Sequence, residues 1–289
     1  MKLISYQLDG GHARLGVLVD DQVINLHHAS YGKLPDDMLD FLNLGDKGMQ
    51  IAREAVVGDA GDLPLDSVKL LAPITNPSKI IAIGLNYMDH IRETGLDVPQ
   101  LATMFCKYPS SIVGPDDDIR WSTRLTTQVD YEAELAVVIG KTARNVCAAD
   151  AYDYIAGYTI CNDVSARDLQ FRAGDQWLRG KCLDSFCPLG PYLVTKDEIP
   201  DPQNLSIQCR VNNRLLQDST TAEMIYQIPY LIEYLSEAFT LLPGDVIATG
   251  TPDGVGAFRK PPVWLASGDL VRVDIEGLGS LSNSCVSEA

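Results

Sequence analysis

The chain lacks most features that mark specialised protein classes. No stretch approaches the roughly 18 consecutive apolar residues of a membrane helix. The opening run Met1-Lys2-Leu3-Ile4-Ser5-Tyr6 meets Asp9 and two glycines almost at once. It is too short for a signal peptide, so the expected location is cytosolic. Basic residues are scarce: 23 Lys and Arg stand against 39 Asp and Glu, a net charge of −16. Such a surface repels phosphate backbones, which argues against a nucleic-acid partner. Seven cysteines form no C-x-x-C, and their number is odd. A disulfide framework or zinc knuckle is therefore not expected, and buried reduced thiols are. Internal repeats and low-complexity tracts are absent as well.

What is present is a chain of 289 residues, 46% of them hydrophobic, enough for a sizeable core. Residues 2–6, 13–19 and 22–26 read as short strands and residues 36–57 as a helix broken near Gly45. Leu71-Ala72-Pro73-Ile74-Thr75-Asn76-Pro77 reads as a linker, which predicts a small N-terminal α+β domain (1–72) and a larger domain (73–289). In the latter, strand-like runs at 79–83, 132–139, 155–161, 192–195, 205–211, 245–249 and 270–275 outnumber helical patches. Those patches fall at about 86–94, 148–153, 164–173 and 222–239. The order does not alternate regularly, so the expected class is a β-dominated α+β fold.

The most informative segment is Asp130-Tyr131-Glu132-Ala133-Glu134-Leu135-Ala136-Val137-Val138-Ile139. On a strand, Glu132 and Glu134 project from one face, roughly 7 Å apart. Either they are solvated at a strand edge, or a divalent cation relieves their repulsion. Asn162-Asp163 follows an apolar run and precedes a helical pattern, so Asp163 is either a plain helix cap or a third oxygen ligand. An all-oxygen set favours Mg²⁺, Mn²⁺ or Ca²⁺ over zinc or copper. Arg167 and Gln170, three apart, share a helix face that can point with Asp163.

His90, the one histidine of the larger domain, lies three residues before Glu93. The pair is either a surface contact or a carboxylate-held general base. Lys181 opens an apolar, small-residue run and either stays solvated or points inward as an oxyanion or carboxylate partner. Thr249-Gly250-Thr251-Pro252-Asp253-Gly254-Val255-Gly256 is a hairpin turn or a loop whose backbone N–H groups meet a carboxylate. It has no Walker or dinucleotide spacing.

In their joint order, Gly84-Leu85-Asn86-Tyr87 through Glu93, Asp130 through Leu135, Asn162 through Asp168, Gly180-Lys181 and Thr249-Gly250-Thr251-Pro252 resemble the fumarylacetoacetate hydrolase family. The resemblance spans about residues 75–285. It implies a mixed β-roll that commonly dimerises, a Mg²⁺ or Mn²⁺ site on Glu132, Glu134 and Asp163, and a water-activating dyad of His90 and Glu93. It further implies that Arg167, Gln170, Lys181 and the backbone of Thr251 hold the substrate carboxylate and developing oxyanion. Branches that cleave fumarylacetoacetate place a further acidic ligand where Asn86 stands, so the resemblance points to the acylpyruvate, oxaloacetate and sugar-acid branches.

The expected activity is metal-dependent C–C hydrolysis of a 2,4-dioxo acid, leaving a pyruvate enolate held at the metal. The same enolate serves decarboxylation or tautomerisation of oxaloacetate and isomerisation of dienoates. A non-catalytic 2-oxo acid binder is the competing class, although binding alone needs no base. Residues 94–104 and 171–180 are the expected specificity loops, the former a possible lid.

Overall fold

The computed structural model describes residues 1–58, 61, 63–172 and 176–289. Residue 173 of the expected helix 164–173, and residues 173–175 of the expected loop 171–180, lie outside them. Strands dominate. A twelve-stranded sheet forms the backbone of the molecule, and a five-stranded sheet packs beside it. A short third ladder joins Val129–Asp130 to Ser165–Ala166.

The central strand is Ala133–Ile139, buried at every position. Its apolar sequence is what a strand covered on both faces requires. Alternation divides its side chains. Leu135, Val137 and Ile139 face a core shared with the five-stranded sheet and the helix Ile228–Ala238. Ala136 and Val138 face the other way, into a core with Leu3, Leu15 and Phe41. Each large side chain so buried stabilises the fold by about 1.5–3 kcal/mol.

Three neighbouring strands place the polar groups. Ile155–Asn162 and Val246–Ala248 run antiparallel to the central strand, with Ala133 opposite Asn162 and Ala136 opposite Ala248. Ile80–Gly84 runs parallel to Val246–Ala248. The start of the central strand and the ends of the other three therefore lie along one sheet edge. Glu132, Asp163 and Thr249–Thr251 follow or precede those ends directly, and Asn86 lies two residues beyond Gly84.

Residues 1–72 are not isolated from this sheet. Lys2–Gln7 pairs with Cys187–Thr195, and Lys69–Leu71 returns to pair with Lys2–Gln7. A domain division at residue 72 would thus separate two lobes of one continuous sheet. The helix expected over 36–57 forms as Met38–Asn43 and Gly45–Ala55, broken where Gly45 takes φ +58.

Two helices are shorter than expected. The 164–173 pattern gives a two-residue strand and one turn, Arg167–Gln170. The 222–239 pattern becomes a helix only from Ile228, with Pro229 in its first turn, where a missing N–H costs nothing. Among the described residues, no helix is long and apolar enough to cross a membrane.

Candidate active site

Glu132, Glu134 and Asp163 converge. Each is buried, and one carboxylate oxygen from each lies within 4.8 Å of the other two. Local hydrogen bonds build the cluster: Asn162 Oδ1 accepts from the Glu132 N–H at 3.0 Å, and the Asp163 N–H donates to the Glu132 carbonyl at 2.9 Å. The strand end and the strand-to-helix junction are thereby locked together.

The three acids are unequally compensated. Glu132 receives the Lys181 ammonium at 2.7 Å and the Arg167 guanidinium at 2.7 Å. Burial pushes its carboxyl up, but Lys181 and Arg167 outweigh burial and hold it down at about 2. Asp163 accepts from Lys107 at 2.6 Å and from Lys181 at 2.8 Å. Glu134 instead accepts from the Gly250 N–H at 3.0 Å. Burial, then the charges of Asp163 and Glu132, raise its pKa well above the ordinary carboxylate value. A buried all-oxygen triad with one carboxylate short of positive charge can bind a hard divalent cation.

His90 and Glu93 lie on the helix Met88–Thr94, with His90 Nδ1 3.1 Å from Glu93 Oε2. The other Glu93 oxygen accepts from the Gly254 N–H at 3.0 Å. The His90 ring meets the edge of Phe258. His90, Glu132, Glu134, Arg167, Gln170, Lys181 and Thr251 all border one cavity of about 80 Å³. Glu93 stands behind His90.

The glycine-rich loop does offer N–H groups to carboxylates, and those carboxylates are the protein's own. Gly250 serves Glu134, Gly254 serves Glu93, and Gly256 and Ala257 serve Asp130 at 2.7 and 3.0 Å. Arg167 is similarly engaged: Nε donates to Asp130 at 2.8 Å, one terminal nitrogen to Glu132, the other to Gln170 Oε1 at 2.9 Å. Thr251 Oγ1 accepts from Gln217 Nε2 at 2.8 Å. Asn86 is buried and holds backbone: its amide donates to the Thr249 and Tyr226 carbonyls and accepts from the Tyr226 N–H. It anchors the turn in which Leu85 takes φ +56, a conformation costly for a branched side chain.

Two buried charged residues had no role in the sequence reading. Asp130 was visible in the motif and proves to be the anchor of Arg167. Lys107 gave no local signal, because its partners Asp163 and Lys181 lie 56 and 74 positions away. Its Nζ also reaches the carbonyl of Lys181 and, at 3.3 Å, that of Val164.

The family whose description is "Fumarylacetoacetate (FAA) hydrolase C-terminal" matches residues 79–286. The chain belongs to the fumarylacetoacetate hydrolase family. It is 49% identical to "Oxaloacetate tautomerase fahd2, mitochondrial" of Xenopus laevis, over 99% of this chain and 90% of that one. It is 46% identical to the Homo sapiens protein "Oxaloacetate tautomerase FAHD2A, mitochondrial", over 99% and 92%. Among solved structures, the fumarylacetoacetate hydrolase of Exiguobacterium antarcticum superposes with a TM-score of 0.83 at 40% identity, covering both chains fully. Maleylpyruvate hydrolase from Sphingobium sp. SYK-6, in complex with manganese(II) and pyruvate, gives 0.81 at 31%, again with full coverage. These relatives correct one expectation. The cytosolic location inferred from the N-terminal sequence is overturned, since the similar tautomerases are named as mitochondrial.

Proposed function

We propose that this chain is a metal-dependent oxaloacetate tautomerase, interconverting the keto and enol forms of a four-carbon 2-oxo diacid. This reading displaces C–C hydrolysis of a 2,4-dioxo acid as the leading activity. What carries it is the near end-to-end similarity, at 46–49% identity, to relatives bearing that name.

Tautomerisation moves one proton between C3 and the oxygen on C2 and consumes nothing. It needs a base near carbon and a donor near oxygen, both facing one small molecule. His90 suits the first role. Glu93 accepts from its Nδ1, which leaves Nε2 as the proton acceptor. Lys181 suits the second, because its ammonium has three N–H groups and two go to Glu132 and Asp163. Gln170 accepts from Arg167 through its oxygen, so its NH₂ stays available to a substrate carboxylate. Arg167 orients Glu132 and Gln170 rather than the substrate. Glu132, Glu134 and Asp163 would hold Mg²⁺ or Mn²⁺, which supplies Lewis-acid polarisation of the 2-oxo acid oxygens.

The test is decay of enol-oxaloacetate absorbance with Mg²⁺ or Mn²⁺, set beside pyruvate release from acylpyruvates and maleylpyruvate. Acceleration over buffer that is lost on chelation is the expected result. No acceleration refutes the reading. Faster pyruvate release from a 2,4-dioxo acid transfers the assignment to the hydrolase activity, which the likeness to maleylpyruvate hydrolase favours as second choice.

A further inference from the structure

We propose that Trp177 determines specificity by limiting the size of the group that a 2-oxo acid carries away from the acidic triad. The inference rests on the 2-oxo acid reading and names how that site selects among such acids.

The cavity has two unlike sides. Glu132, Glu134, His90, Lys181 and Gln170 form one; Leu96, Phe105, Phe171 and Trp177 form the other. The Lys181 ammonium lies 5.0 Å from the centroid of the Phe105 ring, on the border between them. Trp177 meets Phe105 edge-on from beyond, with centroids 5.4 Å apart. A 2-oxo acid anchored at Lys181 and the triad thus points its remaining substituent towards Phe105 and Trp177. At about 80 Å³ the cavity holds only a few waters, so that substituent must be small.

Gly84 shows how tightly the indole is set. A Cβ at that position would lie 2.5 Å from Trp177 Cζ3 and 3.0 Å from Cη2. Any side chain at residue 84 would displace the ring. Gly84 ends the strand Ile80–Gly84, so the sheet edge that places the acids also fixes the indole. An apolar wall at fixed distance discriminates by size, and one methylene too many costs about tenfold or more.

The experiment measures equilibrium binding of 2-oxo acids of increasing size (pyruvate, 2-oxobutanoate, 2-oxopentanoate, phenylpyruvate) to Mn²⁺-loaded protein by calorimetry. In the wild type, affinity is expected to fall along the series. In Trp177→Ala the phenylpyruvate-to-pyruvate affinity ratio should rise at least about tenfold, with pyruvate affinity held. Trp177→Leu should move the ratio the same way and stands in if the alanine variant loses its fold. Gly84→Ala should change the ratio with the indole chemically intact. A ratio unchanged in these variants, or equal weakening of all four acids, overturns the proposal. Tautomerase activity is read separately: its absence alongside a shifted ratio refutes the proposed reaction and leaves the size limit standing.

Discussion

The Lys107 ammonium donates to the Asp163 carboxylate at 2.6 Å, and both side chains are closed to solvent. Burial opposes the lysine charge, but Asp163 outweighs it and holds the Lys107 pKa above that of ordinary lysine. The pair fixes the position of the Asp163 carboxylate, and Lys107 ties the backbone of Lys181 to the same point. Lys107→Met should lower stability by about 3 kcal/mol, because one partner of a buried ion pair is stranded. Added Mg²⁺ should recover more of the Tm in this variant than in the wild type, since a divalent cation replaces part of the missing charge. Equal Mg²⁺ shifts in both proteins would show that Lys107 only packs.

Glu134→Gln should behave oppositely. It removes a poorly compensated buried carboxylate, so the cation-free variant should be at least as stable as the wild type. Mn²⁺ affinity should fall about 10-fold or more, and the metal-induced rise in Tm should shrink accordingly. Calorimetric titration with Mn²⁺ reads both effects, and wild-type affinity in the variant would remove Glu134 from the ligand set.

The same residue sets a pH dependence. The Glu134 pKa is raised in the folded state, so its contribution is fully present below the unfolded glutamate value. It is lost as pH rises through the folded value. Glu132, held at about 2, works the other way: it contributes above the ordinary carboxylate range and loses that contribution in acid. In EDTA, urea unfolding should therefore show falling stability as pH rises above the ordinary glutamate range. With Mn²⁺ the slope should reverse, and calorimetry in buffers of different ionisation enthalpy should detect proton release on binding.

Glu93→Gln separates the dyad from the metal. The amide keeps the approximate shape, but it cannot stabilise a protonated His90. Turnover of enol-oxaloacetate should fall about 100-fold with Mn²⁺ affinity unchanged. Full activity would show that the chemistry does not depend on the Glu93 carboxylate beside His90.

Much of this arrangement was readable along the chain, where it depends on local period. Alternation alone puts Glu132 and Glu134 on one face, and three-residue spacing brings His90 to Glu93 and Arg167 to Gln170. What failed was the length of helices near the site. The pattern at 164–173 collapses to one turn because the 163–167 backbone is held by Glu132, Gln128 and the short ladder to Val129–Asp130. Lys107, Phe105 and Trp177 were invisible for a different reason. Their partners are distant in sequence, and nothing in a lysine or tryptophan by itself announces which strand end it will meet.

The loop from Thr249 to Ala257 has a consequence for how such a site can diverge. Its amides fasten Glu134, Glu93 and Asp130, which come from a strand, a helix and a short ladder. Inserting or deleting one residue there would misplace Glu134, Glu93 and Asp130 in a single event. That stretch is therefore closed to gradual change in length. The Trp177 rim of the cavity carries none of these amide anchors and is freer to vary.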